Sequence, residues 1–196
     1  MIYDSLYKKY YNIEGNAIID KKNTSSHWQK FAKSISVKKR VIDSDYKLKG
    51  YGFGENQSTG LIEKLFTFLF EKTCLFFLKI NKPKTEIKIL KNIIDKMGLS
   101  YSQDAIRQAY TLSLLKNNLK QNNGKNILII GDGYGVLASL IHYTYPDSKI
   151  FLIDLGPMLF FQSYYINKAF PNASQQIIEN EFKQPSEFNF CSPDNI

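Results

Sequence analysis

Arginine is scarce in this chain. Arg40 and Arg107 are the only two among 196 residues, although lysine and arginine together number 26 against 18 acidic residues. The net charge of +8 therefore rests on lysine. A nucleic-acid reading loses its usual instrument, the guanidinium fork that pairs with phosphates and guanines. Most of the lysines are scattered over the first 125 residues, without an arginine-and-aromatic constellation, so no nucleic-acid partner is expected. Cysteine is equally sparse: Cys74 and Cys191 lie far apart with no ligand spacing around them. Neither a disulfide framework nor a zinc site is expected, and a reducing cytoplasm is the simpler reading. Neither a signal peptide nor a long uncharged apolar run is present, so a soluble, cytoplasmic chain with no transmembrane segment is expected. The glycines of Lys49–Gly60 are not followed by Gly-Lys-Ser/Thr, which rules out a P-loop and leaves a flexible connection or a substrate-side lid. His27 has no acid or nucleophile at a telling spacing, and His142 falls in a crossover helix where a structural role is expected.

What the chain does have is one organised stretch, Asn126 to Asp154. Four aliphatic residues, Ile127 to Ile130, read as a strand buried on both faces. Gly131-Asp132-Gly133-Tyr134-Gly135 makes a tight turn, and Val136 to Tyr145 follows as a helix. Pro146-Asp147-Ser148 ends that helix, and Lys149 to Ile153 forms a second strand with Asp154 at its tip. A strand, a glycine turn, a helix and a strand ending in an acid open a nucleotide-type α/β sheet. The helix N-terminus offers unpaired N–H groups, and Asp154 is placed to accept hydrogen bonds from ribose hydroxyls. An adenosine-containing ligand is the expectation.

Two details choose among such ligands. A dinucleotide fingerprint requires glycine or alanine at the sixth position of G-x-G-x-x-G/A, and here that position is Val136. Asp132 lies inside the turn, where a pyrophosphate would meet a like charge. S-adenosylmethionine carries a sulfonium and an ammonium against one carboxylate, so a nearby aspartate is tolerated. The candidate cofactor-binding residues are Gly131, Asp132, Gly133, Tyr134, Gly135, Asp154 and Leu155; no metal site is expected. An NAD-linked enzyme is the weaker alternative.

The run from Ile127 to Phe170 also resembles the bacterial sugar O-methyltransferase family, through GDGYG, FLIDLGPML and QSYYINKAFP. The resemblance spans about Trp28 to Pro193. It implies a Rossmann-like fold, S-adenosylmethionine as cofactor and a sugar or polysaccharide-precursor hydroxyl as the methyl acceptor. The acid that the general class places two residues before the first glycine is Ile129 here.

The remaining segments frame this stretch. Residues 1–122 read as a mainly helical N-terminal region, and residues 123–196 as a partial cofactor-binding domain. Trp28 and Phe31 suggest a short helix, and Leu61 to Ile80 an aromatic-rich amphipathic one. Lys84 to Met97 is a further amphipathic helix closed by Gly98. Ser100-Tyr101-Ser102-Gln103 reads as a capping box opening another helix to about Lys120. Past Asp154, Pro157 suits a first helical position, with a helix to Phe170 and a third strand at Gln175 to Ile178. Phe188 to Cys191 is one more short extended piece. The fold class expected is α/β: a helical region followed by the first three strands of a Rossmann-like methyltransferase sheet. By the resemblance, the strand that normally flanks the first one is missing, so the chain reads as C-terminally truncated. No catalytic base is assignable, and the alternative is a non-catalytic remnant that binds nucleotide or a partner. Self-association or a partner chain at the open sheet edge is expected.

Overall fold

A computed structural model describes residues 1–19, 24, 25, 29, 30, 34–40, 46–49, 65, 68, 69, 72, 73, 83–121, 126–179 and 184–193. Readings made for His27, Trp28, Phe31, the glycines of 50–60 and most of 61–80 lie outside the described residues. The described chain runs α1 (Ile2–Tyr10), β1 (Ser36–Lys39), β2 (Tyr46–Lys49), α2 (Lys84–Met97), α3 (Gln103–Gln121), β3 (Asn126–Ile130), α4 (Val136–Thr144), β4 (Lys149–Ile153), α5 (Gly156–Ala169), β5 (Gln175–Ile178) and β6 (Phe188–Cys191). It is an α/β fold around a four-stranded parallel sheet in the order β3-β4-β6-β5.

The sequence reading counted three strands and left Phe188–Cys191 as one more short extended piece, with no place in the sheet; it is a fourth strand, β6, and it lies between β4 and β5. Its sequence explains the interior place: Phe188, Asn189, Phe190 and Cys191 are all buried. The Asn189 amide group saturates its neighbourhood, donating to Ile150 O and Ser186 O and accepting from Gln176 Nε2 and Ser186 N. A polar residue so bonded can sit inside a sheet layer at little cost.

The expectation that β3 is buried on both faces is corrected. Ile129 is buried, whereas Leu128 and Ile130 are 58% and 73% exposed. Among the described residues β3 is the edge strand, and the covered face there is that of Ile129. The covered face carries Ile129, Ile150, Leu152, Phe188 and Phe190, in register across β3, β4 and β6. His142 of α4 packs on Phe188 and on Phe170, just past α5.

α5 is buried nearly all round, with Phe160, Phe161, Tyr165 and Ile166 inside. Such a helix needs cover on several sides. The sheet supplies one and α1 another: Tyr7 and Tyr11 pack on Phe160, and Tyr3 on Tyr164. Tyr11 also donates to the Pro157 carbonyl at 2.9 Å, and Lys9 pairs with Glu179 at 2.8 Å. Gly156 makes the close approach possible, because a Cβ there would overlap the Tyr10 ring. The N-terminal region is not wholly helical. β1 and β2 form an antiparallel pair whose Val37 and Tyr46 enter the same core as Leu6 and Phe160.

α2 buries Ile87, Leu90, Ile93, Ile94 and Met97 at helical spacing. It stops at Gly98 in the left-handed region, where Leu99 N–H reaches back to Ile94 O. α3 starts two residues later than the capping-box reading placed it. Ser102, not Ser100, accepts from Ala105 N–H, and Gln103 is the first helical residue, too early to reach back.

Candidate functional site

The turn after β3 and the junction after β4 come together at the C-terminal ends of neighbouring parallel strands, where open α/β sheets place their ligands. Gly131 N–H donates to Ile153 O at 3.0 Å, which ties the turn to the residue before Asp154. All three turn glycines take positive φ, a conformation costly for other residues. Their surroundings differ. At Gly131 a Cβ would meet nothing within 4 Å, so the backbone faces open space there. At Gly135 a Cβ would crowd Ile166 Cδ1 at 3.0 Å, so this glycine serves the packing of α4 against α5.

Asp132 has an internal task that the spacing did not reveal. Its Oδ1 accepts from Leu137 N–H at 3.1 Å and its Oδ2 from Ala138 N–H at 2.8 Å. The carboxylate thus caps α4 from within the turn. Burial pushes its pKa up to about 7, the two amide bonds opposing and nearby Asp154 adding to the rise. Tyr134, read as a cofactor residue, turns its ring inward onto Phe161 and Tyr165.

Asp154 is half-buried. Oδ1 accepts from Leu155 N–H at 2.8 Å, Oδ2 accepts from Gln162 Nε2 at 2.7 Å, and Gly133 N–H also bonds the carboxylate. Burial raises its pKa to about 6 against those three bonds. Leu155 is half-buried beside it and serves as N-cap of α5. Gln162 was missed from the sequence. Its signal is a lone amide inside the apolar run of α5, eight residues past Asp154. Its Oε1 is buried and has no hydrogen-bond partner among the described residues.

Facing the turn from the other side are the end of α2 and the start of α3. Between them and Gly131 lies a cavity of about 50 Å³, with Ser100, Asp104, Arg107 and Gln108 among the residues that line it. None of these four was singled out from the sequence as a site residue.

His142 is buried in α4 with Glu187 3.7 Å away. Burial lowers its pKa, which Glu187 partly offsets. Among the described residues no group of three or more His, Cys, Asp or Glu could hold a metal ion, and no helix is long and apolar enough to cross a membrane. Compared with known proteins, the chain matches no family model, no curated protein and no solved structure.

Proposed function

We propose that this chain binds S-adenosylmethionine across the ends of β3 and β4, as the cofactor-binding part of a Rossmann-like O-methyltransferase. The acceptor class we propose is a hydroxyl of a sugar or polysaccharide precursor, following the family resemblance of Ile127–Phe170. The observation that carries the cofactor reading is the pairing of Asp154 with an open glycine turn. The acid stands at the end of the strand next to that turn, and Gly131 leaves room for close approach. Asp154 is held by Leu155, Gly133 and Gln162, so its carboxylate is fixed before any ribose arrives. Preorganised acceptors of this kind lose little freedom on binding. When bound, S-adenosylmethionine supplies an electrophilic methyl group. The chain's own part is to hold the adenosine at Asp154 and to exclude water with α1, α2 and α3.

NAD suits the geometry less well. A pyrophosphate would seek the N-terminal amides of α4, and two of them, Leu137 and Ala138, already bond Asp132. We also propose that the edge of β3, with Leu128 and Ile130 exposed beside it, pairs with a strand of a second copy.

Calorimetric titration of the chain with S-adenosylmethionine, S-adenosylhomocysteine and NAD tests the cofactor reading. The adenosylmethionine pair should bind more tightly. Asp154→Ala should weaken it by about 1.5–3 kcal/mol, the range for hydrogen bonds to a charged group. Tighter NAD binding would sink the reading, and an unchanged affinity in the variant would remove Asp154 from the site.

A further inference from the structure

The cavity between the glycine turn and the α2–α3 pair has a definite chemistry. One wall is Gly131 and Asp132; the other carries Ser100, Asp104, Arg107 and Gln108. One water-sized group needs roughly 10–15 Å³ of such space. The 50 Å³ here therefore suits a head group of a few heavy atoms. Arg107 Nη2 and Asp104 Oδ1 pair at 2.7 Å, one helical turn apart, with side chains 60% and 39% exposed.

An exposed pair of this kind contributes little to the fold. Its partners can therefore be exchanged for the charges of a ligand at small cost. A guanidinium fork and a carboxylate side by side complement the two charges of an α-amino acid: carboxylate to the fork, ammonium to the acid. The alternation of charge is the informative feature. A phosphate would gain from Arg107 but lose against Asp104 and Asp132, and a neutral sugar would leave the ion pair unused.

Resting on the cofactor reading above, we propose that this cavity takes the α-amino-acid end of the cofactor. Arg107 then receives its carboxylate and Asp104 its ammonium. Gly131 is the shared boundary: its open side lets the ligand pass from Asp154, at the end of β4, to the cavity. The helical region before the sheet thus reads the part of the cofactor that the sheet does not.

Two ligands separate this idea from the reading it rests on. S-adenosylhomocysteine carries the amino-acid end, whereas methylthioadenosine keeps the adenosine and thioether and lacks it. Calorimetry on the full chain should find S-adenosylhomocysteine at least about tenfold tighter, the equivalent of one hydrogen bond to a charged group. Arg107→Ala and Asp104→Asn should each shrink that ratio and leave methylthioadenosine affinity unchanged, which also serves as the check that the variants fold. Arg107→Lys should restore part of the ratio. If both ligands bind the unaltered chain equally, or if the ratio survives both substitutions, the cavity assignment is wrong while the cofactor reading stands. If neither ligand binds, the cofactor reading fails and takes this assignment with it.

Discussion

Replacing Asp132 by asparagine should change how stability depends on pH more than it changes the fold. In the folded chain the carboxyl is buried and its pKa is pushed up from 3.8 to about 7. Between those values the folded state holds a proton that the unfolded state has released. Stability from this group is therefore fully present below pH 3.8 and is lost as pH rises through about 7. A difference of about three pH units, at 1.36 kcal/mol each, amounts to about 4 kcal/mol. About 3 kcal/mol of it falls between about pH 4.5 and 8, a convenient range for urea unfolding followed by circular dichroism. Asp154, raised to about 6, tilts the curve the same way and remains in the variant. Asp4, Glu179 and Glu187, held below the usual carboxylate range, and His142, depressed by burial, tilt it the other way. Those contributions are common to both proteins and cancel in the difference. The unaltered chain minus Asp132→Asn should thus lose about 3 kcal/mol across the range. Superimposed profiles, or a difference that grows with pH, would refute the reasoning. They would mean that the amides of α4 stabilise the carboxylate more than burial opposes it.

The remaining expectations concern packing and assembly. Gly156→Ala puts a methyl onto the Tyr10 ring. It should cost about 1–3 kcal/mol by overpacking, read as a lower Tm, with Tyr10→Ala in the same chain returning part of the loss; strictly additive losses would deny the contact. Lysine at Leu128 and Ile130 together should shift sedimentation toward the monomer without reducing helix content, and unchanged association would reject pairing through β3. Filter binding at physiological salt should show no submicromolar affinity for DNA or RNA, because the lysines lack a reading arrangement; tight retention would overturn that view.

The parts of the fold that were legible in sequence are those whose signal is local. β3, α4 and β4 follow from an aliphatic run, a glycine turn and a second aliphatic run, and their register pairs Ile127 with Ile150. α2 and its glycine stop were equally plain. What failed was information that depends on neighbours. Four aliphatic residues say that a strand is apolar, not whether both faces find cover, and Leu128 and Ile130 do not. The place of β6 inside the sheet depends on partners from β4 and β5 that no window around Phe188 contains. The β1–β2 pair went unread, although Tyr46-Lys47-Leu48-Lys49 alternates as a half-buried strand does. At the site, Asp154 and the glycines were visible as a motif. Asp132 as a cap was not, because its bonds run five and six residues forward, outside the usual capping distance. Arg107 and Asp104 gave no motif at all; only the fold sets them opposite Gly131.

The seating of α1 on α5 has a consequence for how the chain is made. Tyr11 leaves the ribosome 146 residues before Pro157, whose carbonyl its hydroxyl will bond. At about 5–20 residues per second that is a wait of roughly 7–30 s. Helix formation itself takes about a microsecond or less, so α1 can flicker into shape many times with nothing to rest on. During this interval Leu6, Tyr7 and Tyr11 form an apolar stripe without its partner helix. α1 is made well before the helix on which it docks, and a chain stalled before α5 would carry that stripe openly.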